Sequence, residues 1–263
     1  MLEYVFFQRA LVAAVVVGLL CGLLGFFVVL RRLAFIGVGI SHSAVGGVAI
    51  ALLAGWSPGL TAAAFAILVA LGMFWVGRDR RLSEDAVIGV FFSGAMALGL
   101  VLLSMRHGFQ QELFAYLFGS VLAISGGELI GLCVLSVVLG GVVLTVFREL
   151  LFIAFDEEVA RAYGRPVDAM NALLLVVLAI TVVAGIRVVG VLLIEALLVV
   201  PAATAALWTL DFRRQVAVSM GLGAGSGILG LVGSYTFDIP AGGAIVLVAV
   251  AGFFLSLLLR RAS

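Results

Sequence analysis

From residue 33 to residue 77 the chain runs 45 positions without a charged side chain. Turn-forming residues interrupt the run at Gly55-Trp56-Ser57-Pro58-Gly59. A helix needs ~20 apolar residues to cross ~30 Å of hydrocarbon. The run therefore holds two membrane spans joined by a tight turn. Residues 10–30, 86–105, 129–147, 169–186, 215–237 and 239–259 are charge-free in the same way, and residues 188–210 carry a single charge, Glu195, which brings the set to nine. The runs are continuous rather than alternating, so the spans are helices and not barrel strands. Composition agrees. Apolar residues make up 65% and charged residues 11%, against about 45–50% and ~25% in soluble domains. This excludes a water-soluble enzyme and a disordered chain. The expected fold class is an all-α integral membrane protein, a bundle of about 8–9 transmembrane helices.

Residues 113–127 sit awkwardly in that count. They are apolar but number only 15 and end in Ser125-Gly126-Gly127. They read as an interfacial or re-entrant helix. If they span, the topology downstream inverts.

Arginine placement sets the orientation. With nine spans and the N-terminus outside, the inner loops hold Arg31, Arg32, Arg78, Arg80, Arg81, Arg148, Arg161, Arg165, Arg213, Arg214, Arg260 and Arg261. The outer side holds Arg9, Arg106 and Arg187. The 15 basic residues against 14 acidic ones leave no basic surface for nucleic acid. Two cysteines, Cys21 and Cys133, exclude a disulfide framework and a cysteine zinc cluster. The first apolar run is too long for a signal core and reads as a retained helix. No phosphate-binding loop occurs in the inner segments, so an ATPase driving this chain would be another chain.

Ionisable side chains inside a membrane are costly and mark candidate sites. Two fall within the spans, His42 and Glu195. His42 is flanked at helical spacing by Gly39 and Gly46. Those glycines either open space beside the imidazole or let another helix press close. Glu195 precedes Pro201, which frees the carbonyl of Leu197 and is expected to kink the helix near the acid. Both residues also admit a plain reading as interhelical hydrogen-bonding groups. Together they would give a nitrogen and oxygen pair suited to a divalent transition metal, with other ligands still to be supplied.

His107 and Glu112, beside Gln110 and Gln111, read mainly as a solvated outer loop. Glu128 reads as a residue at the outer end of its span. Asp238 reads as a turn or cap residue. Gly221, Gly223, Gly225 and Gly227 read as helix contacts rather than a phosphate loop.

The inner connection near 148–168 is the longest polar one. Asp156 is a fair N-cap there, Glu157 and Glu158 fit a first turn, and Gly164 fits a C-terminal stop. A short amphipathic cytoplasmic helix follows. Phe155, Val159, Ala162 and Tyr163 would lie exposed on it unless a partner covered them.

Three segments resemble the permease subunits of bacterial ABC importers for zinc, manganese and iron. They are Arg31-Arg32 through Phe35-Ile36-Gly37 and Ile40-Ser41-His42 to Gly47; Phe155-Asp156-Glu157 through Ala160 to Gly164; and Gly190-Val191-Leu192-Leu193 through Ala196-Leu197-Leu198 to Pro201-Ala202-Ala203-Thr204-Ala205. Their order and spacing cover essentially the whole chain. The resemblance implies a single permease domain over residues 1–263 in the bacterial cytoplasmic (inner) membrane. It implies a second permease copy, two cytoplasmic ATPase subunits and an extracytoplasmic metal-binding donor. It places the ATPase coupling helix at Phe155, Asp156, Glu157, Ala160 and Gly164, and His42 on the translocation path. The family commonly carries Asp four residues before that histidine, where this chain has Val38. The expectation is that Glu195 supplies the missing carboxylate.

The reading is a transport subunit with no catalysis of its own and no permanently bound cofactor. Its cargo is a divalent metal, with zinc favoured slightly over manganese and iron because imidazole and carboxylate suit it. A proton-coupled secondary transporter, with Glu195 as the proton carrier, and an ABC importer for a metal chelate or vitamin stand as alternatives.

Overall fold

In a computed structural model of the protein, residues 4–78, 81–105 and 124–262 are described. They form α1 (Val5–Leu30), α2 (Ile36–Ala54), α3 (Pro58–Gly77), α4 (Glu84–Ser104), α5 (Gly126–Thr145), α6 (Phe147–Phe155), α7 (Glu157–Ala162), α8 (Val167–Val189), α9 (Val191–Trp208), α10 (Phe212–Phe237) and α11 (Ala241–Ala262). All except α6 and α7 are long and apolar enough to cross a membrane, nine among the described residues. Most of 113–127 lies outside those residues, as do Arg80, Arg106, His107, Gln110, Gln111 and Glu112.

Polar residues act at the helix ends, where backbone groups lack partners within the helix. Ser83 caps α4 by accepting from the Ala86 amide at 3.2 Å. Ser125 and Glu128 cap α5 reciprocally, Glu128 accepting from the Ser125 amide and Ser125 Oγ from the Glu128 amide. Asp211 accepts from the Arg213 and Arg214 amides at the start of α10. Asp238 closes α10 in the left-handed region at φ 52°. Glu128 and Asp238 are thus structural end groups.

The helices gather into two compact units. One comprises the described residues within 1–32, 116–140 and 185–263. Here α1 packs against α9 and α10. It is apolar on all sides and buried along most of its length, as such a helix must be. The α1–α10 crossing is made by backbone meeting backbone. A Cβ at Gly18 would lie 2.5 Å from the Gly223 carbonyl oxygen, and one at Gly227 would lie 3.1 Å from that of Ala14. Ser219 Oγ completes the seam, donating to the Gly22 carbonyl at 2.8 Å. Gly223 and Gly227, one turn apart, make these contacts, while Gly221 and Gly225 face open space.

The other unit comprises the described residues within 33–115 and 141–184. Its centre is α2, packed against α3 and α4. The outer faces of α3 and α4 carry exposed Leu68, Trp75, Val90 and Val101, an apolar surface of the kind lipid covers.

One boundary differs from the sequence reading. The charge at Arg187 marks a loop there, yet α8 continues through it to Val189 and the break comes at Gly190. Gly190 has φ 85° and ψ 164°, a conformation open essentially to glycine alone. Backbone geometry, not charge, decides where this pair of spans divides.

Candidate functional site

His42 lies in the middle of α2, half-buried. Its Nδ1 is 3.1 Å from the Val38 carbonyl oxygen and 3.2 Å from Ser41 Oγ. A carbonyl oxygen only accepts, so in the neutral ring Nδ1 carries the proton. That makes Nε2 the nitrogen with the lone pair, the state in which histidine binds metals. Ser41 Oγ itself donates to the same carbonyl at 3.0 Å. The ring stands edge-on to Phe92 of α4, with centroids 5.2 Å apart. Orientation is therefore fixed on one side by the helix backbone and on another by an aromatic wall.

The glycines around His42 serve helix approach. A Cβ at Gly39 would lie 2.8 Å from Ile88 and 2.9 Å from Met73, and one at Gly46 would lie 2.9 Å from Phe65. Of the two readings open from sequence, the structure takes the second: neighbouring helices occupy the space.

Glu195 lies in the second turn of α9, close behind the Gly190 break, and is half-buried. The helix runs on through Pro201 to Trp208. Just beyond the proline, Thr204 Oγ1 donates to the Val200 carbonyl at 2.7 Å. The Leu198 carbonyl backs directly onto Gly25 of α1, where no side chain would fit. Among the described residues, no three His, Cys, Asp or Glu side chains gather as a metal shell. His42 belongs to the second unit and Glu195 to the first.

The short helix α7 has the caps that its sequence predicts. Asp156 Oδ1 accepts from the Val159 amide at 2.9 Å. Gly164, at φ 72°, stops the helix, and the Arg165 amide closes onto the Ala160 carbonyl at 3.0 Å. Ala160 is fully buried against Ile153 and Val167. Arg161 bridges Glu157 at 3.0 Å and also pairs with Asp168. Donating hydrogen bonds to Asp168 and then to Glu157 pushes the Arg161 pKa above its ordinary value. Arg165 pairs with Glu149 of α6 at 2.8 Å. Most of the motif thus shapes the helix. The surface it offers outward is Phe155, 68% exposed, Tyr163, 77% exposed, and Val159.

Sequence reasoning missed Asp168, Arg78 and Glu149. No local signal marks them, because each pairs with a residue distant in sequence.

The family model described as ABC 3 transport family matches residues 3–260. The chain belongs to the ABC 3 transport family. Among its relatives is the manganese transport system membrane protein MntC of Listeria monocytogenes, 35% identical over 98% of this chain and 92% of the relative. A probable iron transport system membrane protein of Haemophilus influenzae is 33% identical over 97% of this chain and 94% of its own. The solved structure of PsaBC from Streptococcus pneumoniae in complex with Fab is similar at TM-score 0.85 and 33% identity, covering 97% of this chain and 91% of that one. A putative metal-chelate type ABC transporter in an inward-facing conformation shares the fold at TM-score 0.75 and 18% identity, over 95% of this chain and 85% of that one. The ABC 3 family membership and the nine apolar helices make this a multi-pass protein of the inner membrane.

Proposed function

We propose that the chain is the permease subunit of an ABC importer that brings a divalent transition metal into the cell, with residues 1–263 forming one permease domain. The observation that carries this is the family match along the chain, joined to a short capped helix with exposed apolar residues on and beside it. Manganese is the first candidate, because relatives at 35% identity carry that metal in their names. Zinc, favoured by ligand chemistry alone, comes second.

His42 and Glu195 bind the cation in transit, His42 through Nε2. Incomplete ligation suits a path, since a cargo must leave as readily as it enters. Phe155, Val159 and Tyr163 dock against a cytoplasmic ATPase subunit, while Asp156, Glu157, Ala160 and Gly164 hold their helix in shape. Pro201 sets the backbone of α9 beyond Glu195. An extracytoplasmic donor protein delivers the metal, a second permease copy completes the pathway, and ATP hydrolysis stays on the partner chains.

The test is manganese and zinc accumulation in starved cells lacking their own importers. The cells carry this chain with the ATPase and donor of the same system, as wild type and as His42→Ala at matched membrane levels. Wild type accumulates manganese and the variant does not. Equal accumulation in both would make His42 structural. No accumulation of either metal by an assembled complex would move the proposal to a metal chelate.

A further inference from the structure

One carboxylate in the second unit, at the start of α8, joins α7 to the end of α3. Asp168, in the first turn of α8, presents Oδ1 to Nη2 of Arg161 on α7 and Oδ2 to Nη2 of Arg78, 3.0 Å away. Arg78 is the C-cap of α3. The two guanidinium groups use different oxygens, so neither excludes the other.

Burial of Ala160 against Ile153 and Val167 fastens α7 to α6 and α8. A link to α3 runs through the Asp168 carboxylate. From α3 the path continues by close packing. A Cβ at Gly47 of α2 would lie 2.7 Å from Ala62 Cα, and one at Gly39 would lie 2.9 Å from Met73 Cε. The helix reached in this way carries His42. We propose that Asp168 is a positioning residue that carries movement of α7 to α3, and so to the His42 helix.

The proposal rests on α7 being the ATPase-docking helix. The side chains of Asp168 and Arg78 are 36% and 52% exposed, and exposed ion pairs contribute little to folding. Their loss therefore leaves the fold intact. A docked subunit would strip away that water and strengthen both pairs during the stroke.

The experiment uses the whole complex, this permease with the ATPase of its system, in vesicles supplied with the donor protein. Metal uptake, with manganese and zinc as probes, and ATP hydrolysis are read from the same vesicles. Asp168→Asn lowers metal moved per ATP hydrolysed by about tenfold, with hydrolysis and the melting temperature of the complex unchanged. Reversing all four charges of the network, Asp168→Arg with Arg161→Asp, Arg78→Asp and Glu157→Arg, restores the ratio to within about twofold. An unchanged ratio in Asp168→Asn overturns the proposal. So does a fall in assembly or melting temperature that accounts for the loss, or failure of the reversed variant to recover. If the wild-type complex moves no metal, the transport reading itself fails and this proposal falls with it; a defect confined to the variants speaks to Asp168 alone.

Discussion

At the scale of single residues, the Val38 carbonyl decides what His42 can do. By holding the proton on Nδ1 it leaves Nε2 in the metal-binding state. His42→Ala is expected to cut manganese uptake by at least about tenfold, since losing even an outer partner of a metal ligand costs that much; uptake of radioactive manganese in cells checks it. Glu195→Gln tests the expectation that Glu195 supplies the carboxylate absent at position 38. Uptake should fall severalfold at matched membrane levels, and wild-type uptake would end the compensation idea. Both residues were legible in the sequence because an ionisable group within an apolar run stands out. Their surroundings were not. Nothing in the spacing of Gly39, His42 and Gly46 says whether space or a helix lies beside the ring, since either needs small residues.

At the scale of elements, α7 and the α1–α10 seam show two ways in which sequence encodes form. The ends of α7 were legible because capping is local: Asp156 and Gly164 each act within a few residues. Asp156→Ala should destabilise the helix by about 1 kcal/mol and lower the amount of ATPase that co-purifies with the permease, while Asp156→Asn, which keeps an accepting oxygen, should retain it. The seam is not local. Gly223 and Gly221 have the same sequence character, yet Gly223 meets the Gly18 backbone and Gly221 meets nothing. Gly223→Leu should therefore cost about 1–3 kcal/mol or more, seen as a lower melting temperature in detergent, whereas Gly221→Leu should leave it nearly unchanged. The break at Gly190 was misplaced for a related reason. A charge marks where a chain prefers water, but a positive φ marks where a helix must end.

At the scale of the whole molecule, the nine spans among the described residues were the most legible feature, because hydrocarbon allows no unpaired backbone and so forces long apolar helices. What the spans leave open is the energy source. The proposed function puts it on a partner ATPase docked at the exposed residues around α7; the rival is a proton gradient acting on Glu195. The direct measurement is manganese uptake by the purified complex in vesicles given donor protein outside, with and without ATP loaded inside on the α7 side and with and without a protonophore. The account predicts uptake that requires ATP and survives the protonophore. Uptake that proceeds without ATP and stops when the proton gradient collapses would contradict it.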